Sequence, residues 1–419
     1  METLLLLVGT NPLPNLIVAT HCIQNCKGLQ KIVLLHTEQT KETASRLELA
    51  ITAVNGIQLE FQKVRIRNEL GENFSAVEAD FIHILNQLPD KTHLDFTGGK
   101  KWMSVFLVKG LSSIVDKKFT YSYLENQGPK LISSNPHLPS KVKCPQNLKI
   151  QHLLACHGYK LADADGRLAP AFRIWLKSIS EEIVREAILN GPKLPIQKFR
   201  PGSGWKDLRK KKKWQSEFVS RIQNAQESNR VAIQNCPILK GLVDTANQTV
   251  EGLVPDYRFV ELDLNAKCEL AVELLQLLEG QWTELWVQHC LDSLQSDSSF
   301  ELQSNCKAQS DRTPSDKVPE LDLLLRVNWS LILVSVTSAK DRGTVKGKAF
   351  EAYHRARQIG GDHAFAVVVS KIKEDGALEL TSDLNNDDFK NVQVCGIDTM
   401  SSSQELHRVV NDVIRRLGV

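Results

Sequence analysis

Between residues 1 and about 125 the apolar positions switch between two periods. Thr3 to Val8 is an almost unbroken apolar run and reads as a strand buried on both faces. Leu13 to Cys26 has helical spacing. Ile32 to His36 is a second short apolar run. Lys41 to Val54 is an amphipathic helix with Leu47, Leu49 and Ala50 expected inward. Ile57 to Ile66 follows as a strand, Ser75 to Leu88 as a helix and Thr92 to Phe96 as a strand. Lys101 to Ile114 is a helix, and Phe119 to Leu124 closes the series as a strand. Strands alternating with helices predict a doubly wound parallel sheet, because each crossover returns the chain parallel to its start. Ligands of such sheets bind beyond the carboxyl ends of the strands.

The pattern then changes twice. Pro129, Pro136, Pro139 and Pro145 mark a connector. Residues 149–270 read as mostly helical. Leu270 to Leu291 is a strong helix, and the Ser-rich stretch 293–316 is a loop or ragged strand. Strands follow at Leu321–Val327 and Leu331–Thr337 around a turn at Asn328, then a helix at Gly347–Ile359 and a strand at Ala364–Ser370. Further strand pieces are expected near 377–381 and 392–396, and a last helix at Ser402–Leu417. The fold class is α/β in three parts. Residues 1–145 form a Rossmann-like domain with a parallel sheet. Residues 146–265 form a helical connector or insertion. Residues 266–419 form a mixed α/β domain.

Composition narrows the function classes. Of 419 residues, 42% are hydrophobic and 24% charged, which excludes a disordered, collagen-like or disulfide-scaffold chain. No apolar run approaches the roughly 20 residues of a membrane span. Leu4 to Val8 lacks the basic flank and cleavage site of a secretory signal. The nine cysteines form no CxxC pair, so buried or half-buried thiols in a reducing cytoplasm are expected. The net charge is only +3, but KDLRKKKKW at Lys206–Trp214, preceded by Trp205, is strongly basic. Lys206, Arg209, Lys210, Lys211, Lys212 and Lys213 are therefore candidate contacts to a nucleic-acid backbone.

Two loops carry the chemistry of the first domain. VGTNPLPN (Val8–Asn15) follows the first strand, and DFTGGKKWM (Asp95–Met103) follows the fourth. Both join a strand's carboxyl end to a helix N-terminus, where backbone N–H groups and the helix dipole favour an anion. Gly98 and Gly99 allow positive φ. Thr10, Asn11 and Thr97 offer hydrogen bonds, and Lys100 and Lys101 offer point charges. Neither loop follows GxGxxG or the Walker pattern, so a phosphate or nucleotide pocket is expected without ordinary dinucleotide or ATP binding.

VGTNPLPNL and TGGKKWM resemble the ligand-binding motifs of CARF domains. The chain also resembles the type III CRISPR-associated nucleases that join a CARF domain to a PD-(D/E)xK nuclease domain. The likeness continues in LKIQHLLACHGYKL (148–161), LLEGQWTELWV (277–287), VPELDLLL (318–325) and AFEAYHRARQIGGDHAFAVVVS (349–370). It implies a homodimer that binds a cyclic oligoadenylate, commonly cyclic tetra-adenylate, as activator. Binding would switch on cleavage of DNA, RNA or both with Mg²⁺ or Mn²⁺. It assigns ring contacts to Gly9, Thr10, Asn11, Pro12, Thr97, Gly98, Gly99, Lys100, Lys101 and Met103.

The same resemblance assigns the nuclease acids. Glu284 stands in G-x-W-x-E with Gly280 and Trp282, and Asp322 starts a strand in PELD. Both would hold the metal. The family's E-x-K pair falls on Ser335 and Thr337, neither of which carries a charge. Lys340, three residues on, is the candidate replacement for the catalytic lysine, and Glu320 a candidate third acid. Three functions stay open: a metal-dependent endonuclease, a non-catalytic sensor with a degenerate nuclease domain, and a ring nuclease that degrades its own activator.

Overall fold

The computed structural model describes residues 1–66, 73–114, 116–125, 130–163, 166–191, 226–251, 253–257, 266–296, 299–311, 320–386 and 389–418. The basic run Lys206–Trp214 lies outside the described residues.

Every residue of β1 (Thr3–Leu7) is buried, as its apolar run requires. It lies at the centre of a six-stranded sheet in the order β3-β2-β1-β4-β5-β6. The other strands are β2 (Lys31–His36), β3 (Glu60–Arg65), β4 (Thr92–Asp95), β5 (Thr120–Glu125) and β6 (Lys130–Ser133). β1 to β5 are parallel, and β6 turns back antiparallel on β5. Helices α1 (Leu13–Asn25), α2 (Lys41–Asn55), α3 (Phe74–Gln87) and α4 (Lys101–Ser112) make the crossovers. The order reverses between β1 and β4, so the switch-point crevice opens at their carboxyl ends. One detail differs from expectation: Leu49 is 70% exposed, so α2 buries only Leu47 and Ala50 of the three residues expected inward.

The chain then runs through α5 (Ile150–Cys156) into β7 (Tyr159–Asp163). This strand lies in a stretch whose pattern reads as helical. Five residues are too few for period to decide, and pairing with β8 (Phe300–Ser310) settles the conformation. Helices α6 (Ala169–Leu176), α7 (Glu181–Asn190), α8 (Gln226–Gln234), α9 (Pro237–Thr249) and α10 (Ala266–Gln276) follow.

The predicted long helix Leu270–Leu291 is two helices. A π-turn over Leu277–Gln281, with Gly280 at φ 149°, separates α10 from α11 (Trp282–Asp292). Within the Ser-rich stretch, residues Phe300–Ser310 form the long strand β8. β9 (Glu320–Val327) and β10 (Ser330–Thr337) form the expected hairpin, with Asn328 at φ 49° in the turn. α12 (Arg342–Gly360) starts where the Asp341 carboxylate accepts the Thr344 N–H at 2.8 Å. β11 (Phe365–Ser370), α13 (Glu374–Asn386), β12 (Val392–Cys395), α14 (Ile397–Met400) and α15 (Ser403–Arg416) complete the chain. The strand expected near 377–381 is thus helical. Ala377, Leu380, Thr381 and Leu384 are buried at helical spacing, and this period wins over the local apolar pair. The second sheet has the order β12-β11-β10-β9-β8-β7 and is mixed.

The two sheets share a core. One continuous apolar cluster runs from Leu4, Leu6 and Leu47 through Leu153 and Leu154 of α5 to Leu324, Leu331, Leu333 and Val368. A bidentate ion pair reinforces it: Arg46 of α2 donates to both carboxylate oxygens of Asp311 at 2.7 Å. The described cysteines are free thiols, six buried and two half-buried. No helix among the described residues is long and apolar enough to cross a membrane.

Candidate functional site

The β1 and β4 loops meet at the switch point. A Cβ on Gly9 would stand 2.9 Å from the Gly99 nitrogen. A Cβ on Gly98 would stand 2.1 Å from both the Leu7 carbonyl oxygen and Asn15 Oδ1. Gly99 adopts φ 80°. Each glycine is required, two by contact and one by backbone conformation. Asn15 Nδ2 donates to the Leu7 carbonyl at 2.8 Å, while its buried Oδ1 has no hydrogen-bond partner. Thr10 is exposed and Asn11 half-buried at the rim. Lys100 and Lys101 are exposed, and Lys100 Nζ donates to Gln39 at 3.0 Å. Met103 is different: its side chain is buried beneath the loop, with the Lys100 N–H directed at its sulfur at 3.3 Å. The Thr97 hydroxyl accepts the Leu124 N–H at 2.8 Å, pinning the loop to β5.

Beneath the loop lies a polar network absent from the sequence reading. Asp95 Oδ1 accepts the Thr97 N–H at 3.0 Å and its Oδ2 accepts the Ser122 hydroxyl at 2.7 Å. Both ring nitrogens of His93 are engaged, with Thr120 at 2.7 Å and Ser122 at 2.8 Å. Burial raises the Asp95 carboxyl to about 6, against the pull of Ser122 and Thr97, and lowers His93 to about 4. The Asp of the DFTGG motif was the available signal; its partners on β5 are distant in sequence.

The rim of this crevice also touches the second domain. A polar cavity of about 430 Å³ lies between Thr10, Asn11 and Pro12 on one side and Arg357, Gly361 and Asp362 on the other. Asn11 Oδ1 is 2.9 Å from where a Gly361 Cβ would be.

In the second sheet the structure brings together the acids expected from the motifs. Glu284, Asp322 and Glu320 line one cleft of about 260 Å³. The Gly280 break redirects the chain so that α11 starts at Trp282 and presents Glu284 in its first turn. Burial pushes the Glu284 carboxyl well up, and the charges of Asp322 and Glu320 push it further. Asp322 is raised chiefly by burial. The strand register Val334↔Leu323 sets Ser335 opposite Asp322. Ser335 Oγ and the Val336 N–H both donate to Asp322 Oδ2, at 3.1 and 2.7 Å.

Lys307 of β8 lines the same cleft and pairs with Glu320 at 3.6 Å. Charges on α12 also reach the acids, although Lys348 is itself exposed and paired with Glu351 at 3.0 Å. Lys348 opposes the upward shift of both Glu284 and Asp322, and Arg355 that of Asp322. Arg355 also donates to the Glu320 carbonyl at 2.8 Å. Lys340 acts on a different neighbour, Lys371. Nothing in sequence marks Lys348, because only the packing of its helix lets its charge act on the two acids. Oxygen donors of this kind suit Mg²⁺ or Mn²⁺. Among the described residues no group of three or more His, Cys, Asp or Glu side chains could hold a metal ion, so the protein offers a partial shell.

These features define a doubly wound domain with a glycine-lined crevice at its switch point, joined to a mixed-sheet domain carrying an acidic cleft. Residues 3–151 match the family model of the Card1 CARF domain, and this part of the chain is a CARF domain. No curated protein sequence matches the chain. Among solved structures, protein VC1899 from Vibrio cholerae is similar over 100% of this chain and 99% of its own, with 13% identity and a TM-score of 0.67. Can2 from Sulfobacillus thermosulfidooxidans in complex with cyclic tetra-adenylate is similar over 98% of this chain and 97% of its own, with 14% identity and a TM-score of 0.61. The two-domain fold is thus shared from end to end.

Proposed function

We propose that the chain is a type III CRISPR effector: its CARF domain binds a cyclic oligoadenylate and thereby activates metal-dependent cleavage of nucleic acid in the acidic cleft. The observation that carries this reading is the retained cluster of Glu284, Asp322 and Glu320. Burial and the neighbouring charges of Asp322 and Glu320 raise the proton affinity of Glu284, a strain on the fold for which a domain without chemistry has no use. The contact between the Gly9 and Gly99 loops supports ring binding, as does the cyclic tetra-adenylate held by Can2, which shares the fold.

A homodimer is part of the proposal. Val105 and Val108 on α4 are exposed, and so are Tyr121, Tyr123 and Ile132 on the β5–β6 hairpin. A two-fold axis through such a face would double the crevice into a symmetric site for a symmetric ring. Binding the ring better in one dimer arrangement would shift the population toward it.

In the cleft Glu284 and the free Oδ1 of Asp322 would hold Mg²⁺ or Mn²⁺. When bound, the ion would polarise the scissile phosphodiester and lower the pKa of the attacking water. Lys348 takes over the charge-stabilising part that Thr337 cannot fill. Ser335 holds Asp322 in one orientation rather than acting as a third ligand.

The sensor reading keeps one observation in its favour. Two donors satisfy Asp322 Oδ2, as in a structural carboxylate. The deciding experiment is a Mn²⁺ assay on supercoiled plasmid, single-stranded DNA and RNA. It is run with and without cyclic tetra-adenylate, beside a Glu284→Ala/Asp322→Ala variant. Ring-dependent cutting that the variant loses supports the nuclease. Ring binding without cutting leaves the sensor, and metal-independent decay of labelled ring identifies a ring nuclease.

A further inference from the structure

The G-x-W-x-E turn has a second neighbourhood, away from the carboxylates. Lys371 follows β11, and its backbone N–H donates to the Ala339 carbonyl at 3.1 Å. This ties it to the loop Ser338–Lys340 that follows β10. Its Nζ lies 5.9 Å from the centre of the Trp282 ring. A Gly280 Cβ would stand 3.6 Å from the Ser338 hydroxyl oxygen. One corner therefore holds the helix break, Trp282 and the two lysines, at the start of the helix whose first turn carries Glu284.

The corner is electrostatically unsatisfied. Lys371 is half-buried and Lys340 exposed. Burial first, and then the charge of Lys340, lower the proton affinity of Lys371. Among the described residues neither lysine has an ion-pair partner. An ammonium withdrawn from water without a counter-ion weakens a fold. The Trp282 face offsets only part of that cost. A methionine would fill the same space at no electrostatic cost. What the arrangement fits is an external anion spanning both lysines.

We propose that Lys340 and Lys371 form a phosphate clamp for the backbone of a nucleic-acid strand lying across the Gly280 turn into the Glu284–Asp322 cleft. This rests on the reading of that cleft as the place where nucleic acid is cut. It gives Lys340 a binding role and leaves charge stabilisation at the acids to Lys348.

The test uses the full chain in chelator, with saturating cyclic tetra-adenylate and without it. A fluorescent single-stranded oligonucleotide is titrated by anisotropy at several salt concentrations. Lys371→Met should weaken binding about tenfold at low salt, and the slope of log K against log salt should fall by about 0.7 for each lysine removed. Lys371→Arg should restore both, and Lys340→Gln should add to the loss. Lys371→Met should also melt no lower than the native chain, because it removes a half-buried charge that has no counter-ion among the described residues. Unchanged affinity and slope in the double variant overturn the clamp, as does wild-type protein that binds no strand under either condition. A lowered melting temperature for Lys371→Met assigns the lysine to structure and overturns it too. Equal competition by millimolar inorganic phosphate at constant ionic strength shows a free-anion site instead of a strand site. Lysine-dependent strand binding without cutting in Mn²⁺ leaves the clamp standing and removes the nuclease reading.

Discussion

The two sheets build their clefts from different materials. At the β1/β4 crevice the site is backbone: Gly9, Gly98 and Gly99 let two loops touch, and no side chain could replace them. At the second cleft the site is charge: Glu284, Asp322 and Glu320 line it with Lys307, and the charge of Lys348 acts on two of the acids from a neighbouring helix. A backbone site is fixed by local sequence, because a glycine's necessity lies in its own φ or in one close contact. A charge site is fixed by packing, because the partner of an acid can arrive from any element. The first should therefore fail through geometry and the second through electrostatics.

The largest effect expected is at Gly98. Gly98→Ala forces a methyl group into the Leu7 carbonyl and Asn15. It should cost about 3 kcal/mol of stability by overpacking and abolish ring binding. Calorimetric titration with cyclic tetra-adenylate and thermal melting check it. A variant that binds the ring normally would show that the loops can separate at little cost, and the contrast with the charged cleft would collapse.

Next comes the cation. Lys348→Gln should lower the rate of metal-dependent cutting by about 10²–10³-fold, the range for removing one transition-state electrostatic partner. Lys340→Gln should lower strand affinity and leave the rate at saturating substrate nearly unchanged. A steady-state comparison separates the two. The reverse pattern would return the catalytic role to Lys340.

The comparison also explains what could be read in advance. The parallel sheet, the two glycine-bearing loops at its switch point and the meeting of the two acids were legible, since each rests on a local pattern: an apolar run, a glycine pair, an acid in a fixed frame. The loss of charge at Ser335 and Thr337 was legible in the same way. Lys348, Lys371 and the His93–Asp95–Ser122 network were not. Lys348 is 64 residues from Glu284 in the chain and acquires its role only when α12 packs on β10. β7 was missed for a related reason, since its pairing partner β8 begins more than a hundred residues later. The break at Gly280 interrupts an apolar period that by itself continues without a gap.

The electrostatic cleft has a pH signature. The folded chain holds protons on Glu284 and Asp322 more tightly than the unfolded chain does. Their contribution is therefore most favourable below the unfolded carboxylate range, about pH 4, and declines as pH rises through the raised folded values. His21, His93, His152, His157 and His289 are lowered and act in the opposite sense. A raw stability profile mixes the two groups. The difference between wild type and Glu284→Gln cancels the histidines. Glu284→Gln should melt higher at neutral pH by roughly 2–4 °C, and the gain should shrink toward pH 4. A gain that does not vary with pH would mean the cleft is not strained by charge. Mn²⁺ should raise the melting temperature of wild type and not of Glu284→Gln, more strongly at higher pH, because the ion must displace those protons.

The smallest effect isolates what a glycine does where nothing requires it. Gly347 lies inside α12, one residue before Lys348, with nothing within 4 Å of a built Cβ. Alanine there meets no neighbour, and it removes the backbone freedom that the unfolded chain gains from glycine. Gly347→Ala should stabilise by about 0.5–1 kcal/mol and leave ring binding unchanged. The same substitution chemistry would then carry opposite signs at Gly98 and Gly347, which is the backbone-against-packing distinction in one measurement. If cutting by Gly347→Ala falls although its melting temperature rises, the first turns of α12 must flex to bring Lys348 onto the acids. The charge site would then depend on backbone freedom as well, and the division between the two clefts would be narrower than their static geometry implies.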